Sequence, residues 1–158
     1  MLWKNNGPYV ANGWYTSVDS AEWKSDEYCF RTATAKSNLF QNWPEDTHYF
    51  FTDTDSKGVA LSGENRYSIT FNGQMPSAKG PVSITLYTEN HFLYQCPYSV
   101  KLDNLVGTQV FFAGPDQGMF PDKRWMATPP NEPFSLYLRV YWMDKMKLWV
   151  LPEIQKMS

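Results

Sequence analysis

Residues 132–142 read EPFSLYLRVYW, and hydrophobic and polar side chains alternate along almost all of it. Phe134, Leu136, Leu138, Val140 and Trp142 share one face of an extended chain, and Ser135, Tyr137, Arg139 and Tyr141 share the other. That two-residue period predicts a strand with one face in a core. RYSIT repeats it with Arg66, Ser68 and Thr70 on one side, and SITLY with Ser83, Thr85 and Tyr87. THYFF, HFLYQ, YSVKL and TQVFFAG are further short apolar runs bounded by glycine, proline, asparagine or aspartate, which predicts strands between turns. Residues 47–72 read as a hairpin with a decorated connection. The proline-rich stretch 114–133 reads as an ordered loop.

Helical spacing occurs once. In SDEYCFRTATAKSNLF, Ser25 is a plausible cap, acids follow it, and Tyr28, Ala35, Leu39 and Phe40 recur at roughly helical intervals, predicting a helix at about 26–38. The proline in QNWPED then disfavours helix in the residue before it. Residues 1–25 show neither period and carry Trp3, Trp14, Tyr15 and Trp23, so they read as an aromatic-rich lead-in to a single domain over 26–158. Many short strands with regular turn signals predict a mainly β chain, a jelly-roll-like antiparallel β-sandwich with one helix near its front.

Composition narrows the function classes. A chain of 158 residues suits one domain with one core. Its formal charge is -2 and no run of lysine or arginine occurs, so the electrostatic footprint of a nucleic-acid binder is missing. Aromatic residues reach 17% and charged residues only 19%, a balance that favours sheets over solvated helices. MLWKNNGPYV lacks the apolar core of a signal peptide, and no stretch approaches the roughly 18 apolar residues of a membrane span. No membrane partner is expected, and the compartment stays open. Cys29 and Cys96 lie in no metal or redox spacing.

Recognisable catalytic and phosphate-binding motifs are absent: there is no GxSxG, P-loop, GxGxxG or HExxH. DTDSKGVALSGE places Asp53, Asp55, Gly58 and Glu64 at the spacing of a calcium loop, but Lys57 occupies a ligand position and strands flank it. Turn geometry alone accounts for those residues. His48 and His91 are the only histidines; a metal site built on them needs the two in contact. Glu45 and Asp46 are chain neighbours that usually point apart, a poor acid/base pair. No cofactor is expected.

The polar strand faces remain. Arg66, Tyr87, Tyr137, Arg139 and Tyr141, with Arg124 and Trp125 from the loop, suit a small organic or saccharide ligand, because guanidinium forks to oxygen groups and phenols stack and donate. The competing reading is an ordinary solvated sheet face.

The run from NGWYTSVDSAEWK through SGENRYSITF, then GQMP, SITLYTENHFLY, PYSV and RWMATPPNEPFSLYLRVYW, resembles the family called domain of unknown function 1214 over roughly residues 12–150. Several islands carry the resemblance: the Trp-Pro-Glu-Asp step, the Asp-rich turn, the Asn-Arg-Tyr strand and the Arg-x-Tyr-Trp ending. It implies a jelly-roll-type unit that often follows a second such domain, so that this chain resembles a stand-alone or clipped version. The chain departs from the family pattern at Gly80, Pro81 and Val82, where tryptophan is common, and at Pro97 and Arg124.

Three expectations follow. The first is a ligand-binding module. The second is a small-molecule lyase, isomerase or hydrolase with Tyr87 or Tyr141 as acid/base and Arg139 stabilising negative charge. The third is a homo-oligomer whose lead-in covers a neighbour's sheet edge.

Overall fold

Alternation along the strands resolves into two sheets packed face to face. The computed structural model describes residues 9–16, 24–37, 42–43, 45–71, 78–94, 109–114, 124–143 and 150–158. In chain order the elements are β1 (Tyr9–Ala11), β2 (Trp14–Thr16), α1 (Tyr28–Ser37), β3 (Thr47–Thr52), β4 (Tyr67–Thr70), β5 (Val82–Thr88), β6 (Gln109–Ala113), β7 (Trp125–Ala127), β8 (Phe134–Tyr141) and β9 (Ile154–Lys156). The larger sheet runs β1-β2-β3-β8-β5 and the smaller β7-β6-β4-β9. Pairing within them is antiparallel except between β6 and β7. The fold is thus mainly β, a sandwich with, among the described residues, one helix, inside the span where the spacing predicts it. Among the described residues no helix is long and apolar enough to cross a membrane.

The core lies between the sheets. Phe134, Leu136, Leu138 and Val140 of β8 and Val82, Ile84 and Leu86 of β5 point inward against Tyr67, Ile69, Val110, Phe112 and Ile154. Each such side chain contributes roughly 1.5–3 kcal/mol through burial. Trp142 does not continue the core face. It takes a left-handed φ of 48° and is 52% exposed, because that backbone turn ends the alternation one residue after β8.

Three other expectations change. The lead-in is sheet over Tyr9–Thr16: Asn12 and Gly13, at φ 53° and 85°, make the tight turn between β1 and β2 that Asn-Gly favours. Trp14 is fully buried and its indole N–H donates to the Pro152 carbonyl at 2.8 Å. Residues 47–72 are not a hairpin, since β3 and β4 belong to opposite sheets and the connection between them crosses the sandwich. HFLYQ is no strand over its described part, 91–94. Leu93 makes a single bridge to Tyr87, while Phe92 and Leu93 stand exposed at the turn.

The segment expected as loop supplies β7, which buries Trp125 and Met126. Residues 98–102, read as a strand, and Cys96 lie outside the described residues. Cys29 is an exposed free thiol. Where the crossing connection meets the segment before β8, Gly63 is obligatory: a β-carbon there would lie 1.7 Å from the Pro129 carbonyl oxygen.

Candidate functional site

The face of the larger sheet turned away from the core is built by register. Tyr15 stands opposite Phe51, Phe51 opposite Tyr137, and Tyr137 opposite Thr85, so four strands present side chains at one level. Phe51 lies 5.9 Å from the rings of Tyr15 and Tyr137, stacked with both, and Tyr87 packs 4.6 Å from Tyr137. Phe51 and Tyr137 are buried and form a second hydrophobic cluster separate from the main core. One pair of residues along, Tyr49, Arg139 and Ser83 stand opposite one another.

Arg139 is held on this face by three rings and two hydroxyls. Its guanidinium donates to Thr85 Oγ1 and, at 2.7 Å, to the Tyr87 hydroxyl. Its central carbon sits 5.6, 5.7 and 5.8 Å from the ring centroids of Tyr49, Tyr87 and Tyr137, within cation–π range. The arginine is therefore engaged within the protein. Burial pushes the Tyr137 phenol well above the ordinary tyrosine range; Tyr87 adds to this and Arg139 opposes it. Tyr137 is accordingly a hydrogen-bond donor near neutrality and no base.

At the end of this face, where β3 stops and β8 starts, a cavity of about 180 Å³ opens. Tyr15, Phe51, Phe134 and Tyr137 contribute rings, and Asp53, Glu89, His91 and Ser135 contribute polar groups. Glu89 and His91 arrive on the turn after β5. That turn is closed by Thr88, whose N–H donates to the Phe92 carbonyl and whose carbonyl accepts from His91 N–H, both at 2.9 Å. His91 adopts a left-handed φ of 63°, a conformation that a non-glycine residue enters at some cost and that recurs at functional positions. Its Nδ1 is enclosed with no hydrogen-bond partner among the described residues, and burial lowers its pKa.

Of the residues expected at a site, Tyr87, Tyr137 and Arg139 come together, and Tyr141 shares their face next to Thr47. Arg66, Arg124 and Trp125 do not join them. Arg66 and Arg124 are exposed at the starts of β4 and β7, and Trp125 is buried in β7, so all three belong to the other sheet. The loop with calcium-like spacing is organised from within. Asp55 is buried, and its Oδ1 accepts the backbone N–H of Lys57 and of Val59, both at 2.9 Å. That carboxylate organises its own turn, with Gly58 at φ 79°.

Among the described residues no group of three or more His, Cys, Asp or Glu is placed to hold a metal ion. His48 pairs with Val140 at one end of the larger sheet, whereas His91 follows Thr88, which pairs with Phe134 at the other. At about 3.3 Å per residue, the two histidines are roughly 20 Å apart along the strands.

Sequence reasoning passed over Tyr15, Phe51 and Glu89. The available signal was THYFFT itself: aromatics at successive positions instead of alternation imply a strand covered on both faces.

A two-sheet β-sandwich with a ring-lined cavity at one end of its larger sheet is thus the class of protein this chain represents. A family model described as "Protein of unknown function (DUF1214)" matches residues 46–145, and the chain belongs to that family. No curated protein matches it. Among solved structures, the chain is similar to the VPA0106 protein from Vibrio parahaemolyticus, with a TM-score of 0.63 and 20% identity over 82% of this chain and 35% of that one. It spans about a third of that protein's length; the likeness is one of fold.

Proposed function

We propose that the domain is a binding module for a small organic ligand, seated in the cavity between Asp53, His91 and Tyr137. The observation that supports this reading is the cavity itself, which combines a wall of rings with a few convergent polar groups, the usual make-up of a small-molecule site. The rank Tyr15–Phe51–Tyr137 is fixed by strand register and braced by Arg139 through Tyr87, so it meets a ligand already ordered. The ligand seat differs from the one expected for Arg139: the guanidinium is spent on Thr85 and Tyr87 and acts through the rings it positions.

Ser135 is half-buried, lines the cavity and lies on β8 at a position where a larger side chain points into it. Screening a panel of small fragments by protein-observed NMR should give shifts centred on Tyr15, Phe51 and Ser135. Ser135→Phe, which fills the cavity, should abolish them while the variant keeps a cooperative unfolding transition and native-like chemical shifts away from the cavity. Fragment shifts that persist in Ser135→Phe place the ligand elsewhere and sink the reading.

A further inference from the structure

Resting on the binding reading above, we propose that the occupant of the cavity is a small organic cation, a protonated or quaternary amine. Four aromatic side chains line the space, Tyr15, Phe51, Phe134 and Tyr137. Aromatic faces carry the negative part of the ring quadrupole and attract a cation. Phe51 is itself stacked with Tyr15 and Tyr137, so the attraction falls to the ring faces those stacks leave open and to the carboxylates beside them. The polar part of the lining has the same sign. Asp53 and Glu89 bring carboxylates, and among the described residues no lysine or arginine lines the cavity.

The one remaining basic group, His91, is kept toward its neutral form by burial, so it adds little positive charge to compete with the ligand. An anion would meet two carboxylates. A neutral polyol would find acceptors at Asp53, Glu89 and Ser135 but would make no use of the ring wall's electrostatics. A volume of about 180 Å³ accommodates a head group the size of trimethylammonium with any tail directed out past Glu89, which is exposed.

The test uses the full chain and three probes: choline, its neutral tert-butyl isostere, and methyl glucoside. Each is titrated by NMR, with the fragment panel as a reference for occupancy of the cavity. Choline is expected to bind roughly tenfold more tightly than the isostere, to shift Tyr15 and Phe51, and to lose several-fold in affinity in Glu89→Gln while the isostere does not. Isostere or glucoside binding as tight as choline, or a choline affinity that Glu89→Gln leaves unchanged, overturns the cation assignment. In that case fragments that still occupy the cavity leave the binding reading standing. If neither choline nor any fragment occupies it, both fall together.

Discussion

Arg139 holds a positive charge among three phenol rings on a sheet face that is largely covered, and the stability of that face depends on it. Two hydrogen bonds from a charged donor and the ring contacts disappear together in Arg139→Ala, leaving the Thr85 and Tyr87 hydroxyls without that partner. The expected loss is roughly 2–3 kcal/mol in urea unfolding, and an unchanged midpoint would refute the bracing role. Arg139→Lys should recover only part of it, because one compact ammonium lacks the two spaced, coplanar nitrogens that reach Thr85 and Tyr87 separately.

Tyr137, beside it, makes the protein sensitive to alkali. Its folded pKa is raised, first by burial, so its contribution is complete below the ordinary tyrosine value of about 10 and is lost as pH rises beyond that. Stability measured from ~pH 8 to ~pH 11 should fall in the native protein and fall less steeply in Tyr137→Phe. Equal slopes would show that Tyr137 stays out of the alkaline transition. The face was legible in the sequence as Ser135, Tyr137, Arg139 and Tyr141 alternating with Leu136, Leu138 and Val140. What alternation could not say is that Arg139 is satisfied from within, since that depends on Thr85 and Tyr87 arriving on a strand some fifty positions earlier.

At the level of elements, long alternating runs were readable and short ones were not. β5 and β8 place their odd and even residues on opposite faces as their patterns require, and α1 falls within the expected span 26–38, although it starts at Tyr28, beyond Ser25, with no acid in its first turn. β1 and β2 are three residues each, too short for a period to register; the informative signal was the Asn12–Gly13 turn between them.

This hairpin bears on the expected oligomer. Through Tyr15 and Thr16 it pairs with Phe51 and Phe50 of its own chain, covering the edge that β3 would otherwise offer to a neighbour. Removing residues 1–16 is therefore expected to lower stability by several kcal/mol, through loss of buried Trp14, and to raise the apparent mass in solution by exposing β3. A truncated chain of unchanged mass and stability would show that the hairpin is not needed to close the sheet.

For the whole molecule, the class of fold followed from periodicity, but the division of strands between sheets did not. Consecutive strands β3 and β4 separate into different layers, and the partners of β3 are β2 and β8. The cavity is a product of that arrangement, because Asp53, Glu89, His91 and Ser135 come from three places in the chain and meet only at one end of the larger sheet.

The same arrangement ties the chain's early and late segments together. Asn12 donates to the Leu151 carbonyl and Trp14 to the Pro152 carbonyl across separations of 139 and 138 residues, and β9 supplies the neighbour of β4. On the ribosome, then, the hairpin of residues 9–16 waits for its last contacts until residues 150–158 have left the exit tunnel. Until then, the apolar faces of the earlier strands are in the care of whatever chaperones attend the nascent chain.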